Sequence, residues 1–469
     1  MVLEKKISVE SADLKVIFTS GSGTINGTNI EPGWTSGENT FTVKNESNGT
    51  YKYNIIIKDL VNTFTTSGFL VYKITSTGGG YNMTDFTDVP KSSSARDTVL
   101  AFNISIDKGA THTYKVEIKY LESKDVDQSA DMGKMLNGKI FIEDKFKGGT
   151  LSEAIMYYNP TISTRNDFNT LFYETNTGTL YKATESIASS TPKDVYYFAG
   201  DAINNWLKFG GFYWRIIRTN HDGSVRLLYS GTSPDTTNGY IGLSAFNTNR
   251  NSPKYVGYMY GNSDTTLDES RTNTNPSTIK TKIDDWYSTN LSGYTKYIST
   301  EAVYCNDRTE VTEGTYNIGS SNFYYAPYGR LYTNKTPTYN CTNIKDAFSG
   351  SNSEAKLTYP IGLMTADEIV YAGGKVNTSS NQMAWYYLNS AGGSITGSTW
   401  WWSLSPSVSG YYSFVWSVYG SSSPGSFDSI TVDNLNGVRP AISLKTCALY
   451  TGGNGAPETP YEISTTSGC

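Results

Sequence analysis

Residues 399–445 read TWWWSLSPSVSGYYSFVWSVYGSSSPGSFDSITVDNLNGVRPAISLK. From Ser403 to Val438 there is no Lys, Arg, Glu, Gln or Met, while Ser, Tyr, Gly, Val and Phe recur. Tyr and Trp give large, rigid, amphipathic contact area at low entropy cost, and Ser, Gly and Asn give adaptable hydrogen bonding; the same palette serves antibody paratopes. The stretch therefore reads as a recognition surface carried on a scaffold. In a strand, successive side chains alternate between faces, so Trp401 points opposite to Trp400 and Trp402. Trp402 and Trp416 are expected in the core, and Trp400 or Trp401 exposed for stacking on a flat ligand face. Arg439 lies between apolar strand residues and needs a carboxylate or carbonyls; it is expected to be a structural anchor that orients the loops. Between the anchors, Trp400, Trp401, Tyr411, Tyr412, Tyr419 and Phe427 are candidate aromatic contacts. Ser413, Ser417, Ser421, Asp428, Asp433, Asn434 and Asn436 are candidate polar ones.

Outward from this stretch, 469 residues suffice for several cores rather than one. Only 17% of residues are charged, against 37 Tyr and 44 Gly, which favours strands and polar turns over helices. The net charge of -5 comes with no basic stripe, which argues against a nucleic-acid partner. No apolar run reaches a membrane span, and MVLEKKISVE lacks the apolar segment of a signal peptide. It reads as a start just after an export signal or membrane anchor, so that any membrane attachment runs through an anchor outside these residues. Export would pair Cys305 with Cys341 and Cys447 with Cys469, the pairings of shortest loop; the alternative is buried free thiols.

Along the chain, Ile7 to Tyr120 alternates in strand fashion (DLKVIF, YKYNIIIKDL, GFLVYKITST, THTYKVEIKYL) between Gly, Asn and Pro breaks. Six to eight short strands predict an N-terminal β-sandwich, jelly-roll or immunoglobulin-like, over 1–145. Residues 146–204 are expected to be a connector with a short helix at LSEAIMYY and some strands. From 205 to 446 an α+β domain is expected. It carries a β-hairpin turning at Asn220-His221-Asp222-Gly223, a helix at STIKTKIDDWYSTNL with Ile279, Ile283 and Trp286 on one face, and a helix at TADEIVYAGG. Thr365 N-caps the latter, Glu368 completes a capping box and Gly373 ends it. Residues 447–469 are expected to be a C-terminal tail.

The set GFYWRIIR, YVGYMYG, DDWYSTNL, YPIGLMTADEIVYAGG, WWWSLSPS, FVWSV and NGVRPAISLK, in this order, resembles the C-type-lectin-like domains related to the formylglycine-generating enzyme. These include variable proteins of diversity-generating retroelements in gut bacteria. The resemblance spans about half the chain, and Gly437-Val438-Arg439-Pro440 is its most specific element. It implies two helices, a central antiparallel sheet and a loop-rich half that presents ligand-contacting side chains. Adenine-directed mutagenesis of an AAY codon never yields Lys, Glu, Gln, Met or Trp, and Ser403 to Val438 contains only Trp416 of these. Ser- and Tyr-rich loops also arise without such mutagenesis. In the N-terminal part, Glu31-Pro32-Gly33-Trp34, Phe41-Thr42-Val43-Lys44-Asn45, Asn54-Ile55, Thr111-His112-Thr113-Tyr114 and Gln128 resemble bacterial camelysin and biofilm-fibre subunits, which implies a stalk or fibre module.

Catalysis has little support. His112 and His221 lie in different units without a second ligand nearby and read as surface or turn residues. The related enzymes need a reactive cysteine pair beside the C-terminal core, and Cys305, Cys341 and Cys447 depart from that pattern. Asp284, Asp285, Asp428 and Asp433 match no calcium-loop spacing, so a structural Ca²⁺ is not predicted, nor any other cofactor, and Asp284 and Asp285 read as the solvated face of a helix. The expected function is an exported, cell-surface display or adhesion protein. Its partner is a protein or glycan on another cell, a phage or a host surface. The alternative is a structural fibre or pilus-like subunit assembled through the N-terminal sandwich by strand addition.

Overall fold

The computed structural model describes residues 6–11, 14–20, 24–27, 30–36, 39–66, 68–89, 92–143, 149–173, 178–311, 323–378, 384–466 and 468–469. The chain forms two compact units, Met1–Lys147 and Gly148–Cys469; the expected boundary at 145/146 lies outside the described residues.

In the first unit two antiparallel sheets share one core. One has the order Lys6–Ser11, Leu14–Ser20, Asn39–Asn45, Thr111–Tyr120, Leu70–Thr77, Thr87–Asp88. The other has the order Thr24–Gly27, Leu136–Glu143, Tyr51–Asn62, Ser92–Ile106. Thr111–Tyr120 alternates strictly, with His112, Tyr114, Val116, Ile118 and Tyr120 turned inward, because side chains alternate faces along a strand. Tyr114, Val116, Ile118 and Tyr120 meet Tyr53, Ile55, Ile57, Ile140 and Ile142 of the other sheet in one cluster, and each buried aliphatic side chain stabilises by about 1.5–3 kcal/mol. This is the layering of a β-sandwich.

His112 is not on the surface, as expected, but 5% exposed in that core. A period-2 strand cannot turn one inward position outward, so the imidazole is satisfied in place: Tyr53 Oη lies 2.8 Å from its Nδ1 and 2.6 Å from Tyr114 Oη. At the sandwich end, Asp131 accepts from Thr65 N (2.6 Å), Thr65 Oγ1 (2.7 Å) and Tyr120 Oη (3.0 Å).

The second unit is built on an eleven-stranded sheet. Its centre is the hairpin Phe212–Thr219 with Val225–Tyr229, which turns at Asn220–Ser224 with Gly223 at φ 81°. Pro440–Leu444 pairs with Val225–Tyr229, and Gly362–Leu363 with Pro440–Leu444. Strands from the segments expected as connector and tail belong to this same sheet. Trp206–Phe209, followed by Tyr461–Ile463 and Leu449–Gly452, and Lys193–Tyr197, followed by Thr179–Glu185, both pair along the edge of Phe212–Thr219 that faces away from Val225–Tyr229. Their alternating apolar residues, such as Val195 and Tyr197, are buried against the unit's core, so no boundary falls at 204 or 446.

The expected helices form. Leu151–Tyr158 has a Thr150/Glu153 capping box. Thr278–Asn290 is N-capped by Ser277 and buries Ile279, Ile283 and Tyr287. Half-buried Trp286 packs on the rings of Phe212, Trp214 and Tyr229. Ala366–Ala372 carries the Thr365/Glu368 box. Cys305 pairs with Cys341 and Cys447 with Cys469, with Cα–Cα distances of 5.7 and 5.2 Å, which fits an oxidising compartment. Among the described residues no helix is long and apolar enough to cross a membrane.

Candidate functional site

A separate five-stranded sheet carries the 399–436 stretch, in the order Leu243–Ser244, Asn436–Gly437, Trp401–Pro406, Phe414–Val418, Phe427–Thr431. Trp401–Pro406 is its central strand and is buried along its whole length. Trp401 and Trp402 therefore both point into packed layers, on opposite faces. Trp402 donates to Ser244 O (2.8 Å) and meets Phe246 edge-on, while Trp401 lies under the Arg439 guanidinium at 4.8 Å. Trp401 is thus core, not a ligand contact: a central strand with both faces covered has no exposed side. Trp400, one residue before the strand, is half-buried and stacks on Tyr419 with ring centroids 3.7 Å apart.

Arg439 is fully buried, and among the described residues no carboxylate pairs with it. Its Nη1 donates to Tyr386 O (2.6 Å) and its Nε and Nη2 donate to Tyr229 O (3.2 and 3.1 Å), which ties the end of the small sheet to the large one. Burial lowers its pKa. Trp416 is fully buried between Phe427 and Tyr328 (5.4 and 6.1 Å).

Four further candidates are core rather than surface. Phe427 is buried under Trp416. Ser413 donates to Ser252 O (2.6 Å), Ser417 to Trp401 O (2.9 Å), and Asn436 Nδ2 to Ser417 Oγ (3.0 Å). Small hydroxyls let strands approach closely and satisfy stray backbone carbonyls, so Ser abundance here is partly a packing feature. Ser403, Ser405, Ser407 and Ser409 are buried as well.

The candidates that remain accessible form two groups at opposite ends of Phe414–Val418, a five-residue strand of roughly 17 Å. At its start lie Tyr411 and Tyr412, 65% and 42% exposed, with Arg250 over the Tyr412 ring at 4.1 Å and bridged to Asp433 at 3.3 Å. Asn434 caps the same end by donating to Thr431 O (3.0 Å). At its other end lie Trp400, Tyr419, exposed Ser421 and half-buried Asp428. Gly420 holds this turn, since a Cβ there would stand 2.3 Å from Ser398 O.

Apart from Leu435, several neighbours of this sheet lie outside 399–436. Leu435 and Leu243 are 70% and 51% exposed beside Asn436–Gly437. Tyr324, Tyr328 and Tyr332 form a ladder with centroids 4.3 and 4.9 Å apart; their i, i+4 spacing was the available signal.

The second concentration of charge is internal. Arg218 binds Glu185 (2.8 Å) and Glu368 (2.9 Å), Arg226 binds Glu368 (3.0 Å), and Arg330 binds Asp307 (2.6 Å) and Asp367 (2.8 Å). Burial pushes the Glu368 carboxyl up, and the Arg226 and Arg218 guanidiniums push it down by more. The cavity they line with the Cys305–Cys341 disulfide measures about 20 Å³, room for about one water. His221, in its turn, sits 3.2 Å from Glu185.

No group of three or more His, Cys, Asp or Glu side chains converges as a metal site among the described residues. Asp284 is not on a solvated face: it is half-buried and holds buried Lys280 at 2.5 Å, whereas Asp285 is exposed. The chain matches no family model, no curated protein and no solved structure.

Proposed function

We propose that the protein is an exported cell-surface display or adhesion protein whose C-terminal unit, of C-type-lectin-like kind, binds a ligand through the accessible part of 399–436. The N-terminal unit then serves as a stalk. One observation carries the reading. Tyr411 and Tyr412 stand exposed on a loop whose two flanks, Trp402 and Trp416, are fully buried. Aromatic rings on a rigid base make contacts at low entropy cost. The two disulfides agree with life outside the cytosol. The ligand is a protein or glycan on another cell, a phage or a host surface. In a protein and glycan array, Tyr411→Ala/Tyr412→Ala should lose at least tenfold in affinity while its unfolding free energy stays within about 0.5 kcal/mol of the parent, as for ordinary surface substitutions. Unfolding of the variant, or undiminished binding, would overturn this assignment.

One observation favours the fibre alternative. Lys6–Ser11 is an edge strand of its sheet and the first strand among the described residues, and strand addition between copies proceeds from such an edge. Deleting residues 1–11 should then abolish concentration-dependent polymerisation in light scattering. A chain that stays monomeric at every concentration removes this alternative.

A further inference from the structure

The end of the small sheet around Asp428 has a chemistry of its own. Ser417 lies opposite Asp428 in the register, and Tyr419 N donates to Ser426 O (2.8 Å). Tyr419 and Asp428 are therefore diagonal neighbours on one face of adjacent strands, within side-chain reach. Trp400 stacks on Tyr419 with ring planes 15° apart, so the three side chains form a continuous group, with Asp428 on the outer strand Phe427–Thr431, whose first residue bridges Val376. Asp428 accepts from Ser429 N (2.7 Å), and among the described residues no Lys or Arg pairs with it. Buried Asp346, Glu185, Glu368 and Asp367, by contrast, each hold an arginine. Burial raises the Asp428 carboxyl, and, after burial, its charge further raises the Tyr419 phenol. A half-buried carboxylate beside electron-rich ring faces makes a locally negative site without a counter-ion.

We propose that Asp428, Tyr419 and Trp400 form a subsite for a guanidinium or ammonium group, so that the ligand of this surface presents a basic side chain of a protein. The inference rests on the reading of 399–436 as a binding surface. A carboxylate and a π face both attract a cation and reinforce one another when partly desolvated. A sugar is the competing ligand, since Tyr419 Oη and Asp428 also offer a hydroxyl a donor and an acceptor, and the unpaired carboxylate is what favours the cation.

The test uses the full chain labelled with 5-fluorotryptophan, with the Trp400 signal assigned through Trp400→Phe. Acetyl-Gly-Arg-Gly-amide should shift that signal, acetyl-Gly-citrulline-Gly-amide should not, and Asp428→Asn should weaken the arginine peptide at least tenfold. Equal shifts by the two peptides, no shift by either, or a shift by methyl glycosides that survives Asp428→Asn would overturn the subsite. The two readings fail separately. Array ligands lost in Tyr411→Ala/Tyr412→Ala but retained in Asp428→Asn sink the subsite and leave the surface; an arginine-specific shift with no Tyr411/Tyr412-dependent ligand does the reverse.

Discussion

The hydroxyls of the Ser-rich stretch separate by burial. Ser413 and Ser417 bond to backbone carbonyls inside the sheet, while Ser421 faces solvent. If programmed variation operates, it should spare the first kind. A near-copy of the coding segment in neighbouring DNA is expected to differ at template adenines of codons 411, 412, 421, 428, 433 and 434 and to agree at 413, 417 and 436. A copy that varies equally at the buried codons contradicts this partition, and sequencing decides it. In the N-terminal unit, burial lowers the His112 pKa, and although burial pushes the Asp131 carboxyl up, the Thr65, Thr66 and Tyr120 donors bring it well below the usual range. Both groups bind protons more readily in the unfolded chain, so their stabilisation is complete above the unfolded pKa and lost as pH falls. Protection from hydrogen exchange in Tyr51–Asn62 and Thr111–Tyr120, corrected for intrinsic rates, should fall first below about pH 6.5 and again below about pH 4. His112→Gln should remove the first step.

Among the elements, those whose signals are local were the most legible. The capping boxes at Thr150/Glu153 and Thr365/Glu368 start helices where the sequence places Thr three residues before Glu, because the cap is made within one turn. The Asp222-Gly223 turn is local in the same sense. Elements such as Gly149–Thr150 and Asn436–Gly437 are two residues long, too short to show periodicity, and exist because distant partners pair with them. The Cys305–Cys341 disulfide closes a 36-residue separation beside the equally short strand pair Tyr304–Cys305 and Ala347–Phe348. Loop-closure entropy gives it about 3–4 kcal/mol. Cys305→Ser/Cys341→Ser should lower the urea unfolding free energy of the second unit by that order, and an unchanged midpoint would assign the stability to packing alone.

At the scale of the molecule, the ionic network binds together parts remote in sequence. Glu368 caps its helix through Thr365 N (2.9 Å) and holds Arg218 and Arg226 on the two central strands. Glu368→Gln leaves buried Arg226 without its carboxylate and Arg218 with Glu185 alone, and should cost about 3–5 kcal/mol in urea unfolding. Its depressed folded pKa gives stability that is present above the unfolded carboxylate value, near 4.3, and lost on acidification, so the variant should also flatten the acid limb of the stability curve. Strand-rich composition, alternation, turn chemistry and helix caps follow from residues close in sequence, and these the sequence by itself determined. Which face of a strand meets water does not. Trp401, Phe427, Ser413, Ser417 and Asn436 carry a recognition composition, yet they lie inside because Trp401–Pro406 became a central strand covered on both sides. The strands Thr179–Glu185, Lys193–Tyr197, Leu449–Gly452 and Tyr461–Ile463 joined the large sheet because distant strands pair with them. Burial depends on which distant strands pair and which layers close over them, and only the tertiary structure decided that.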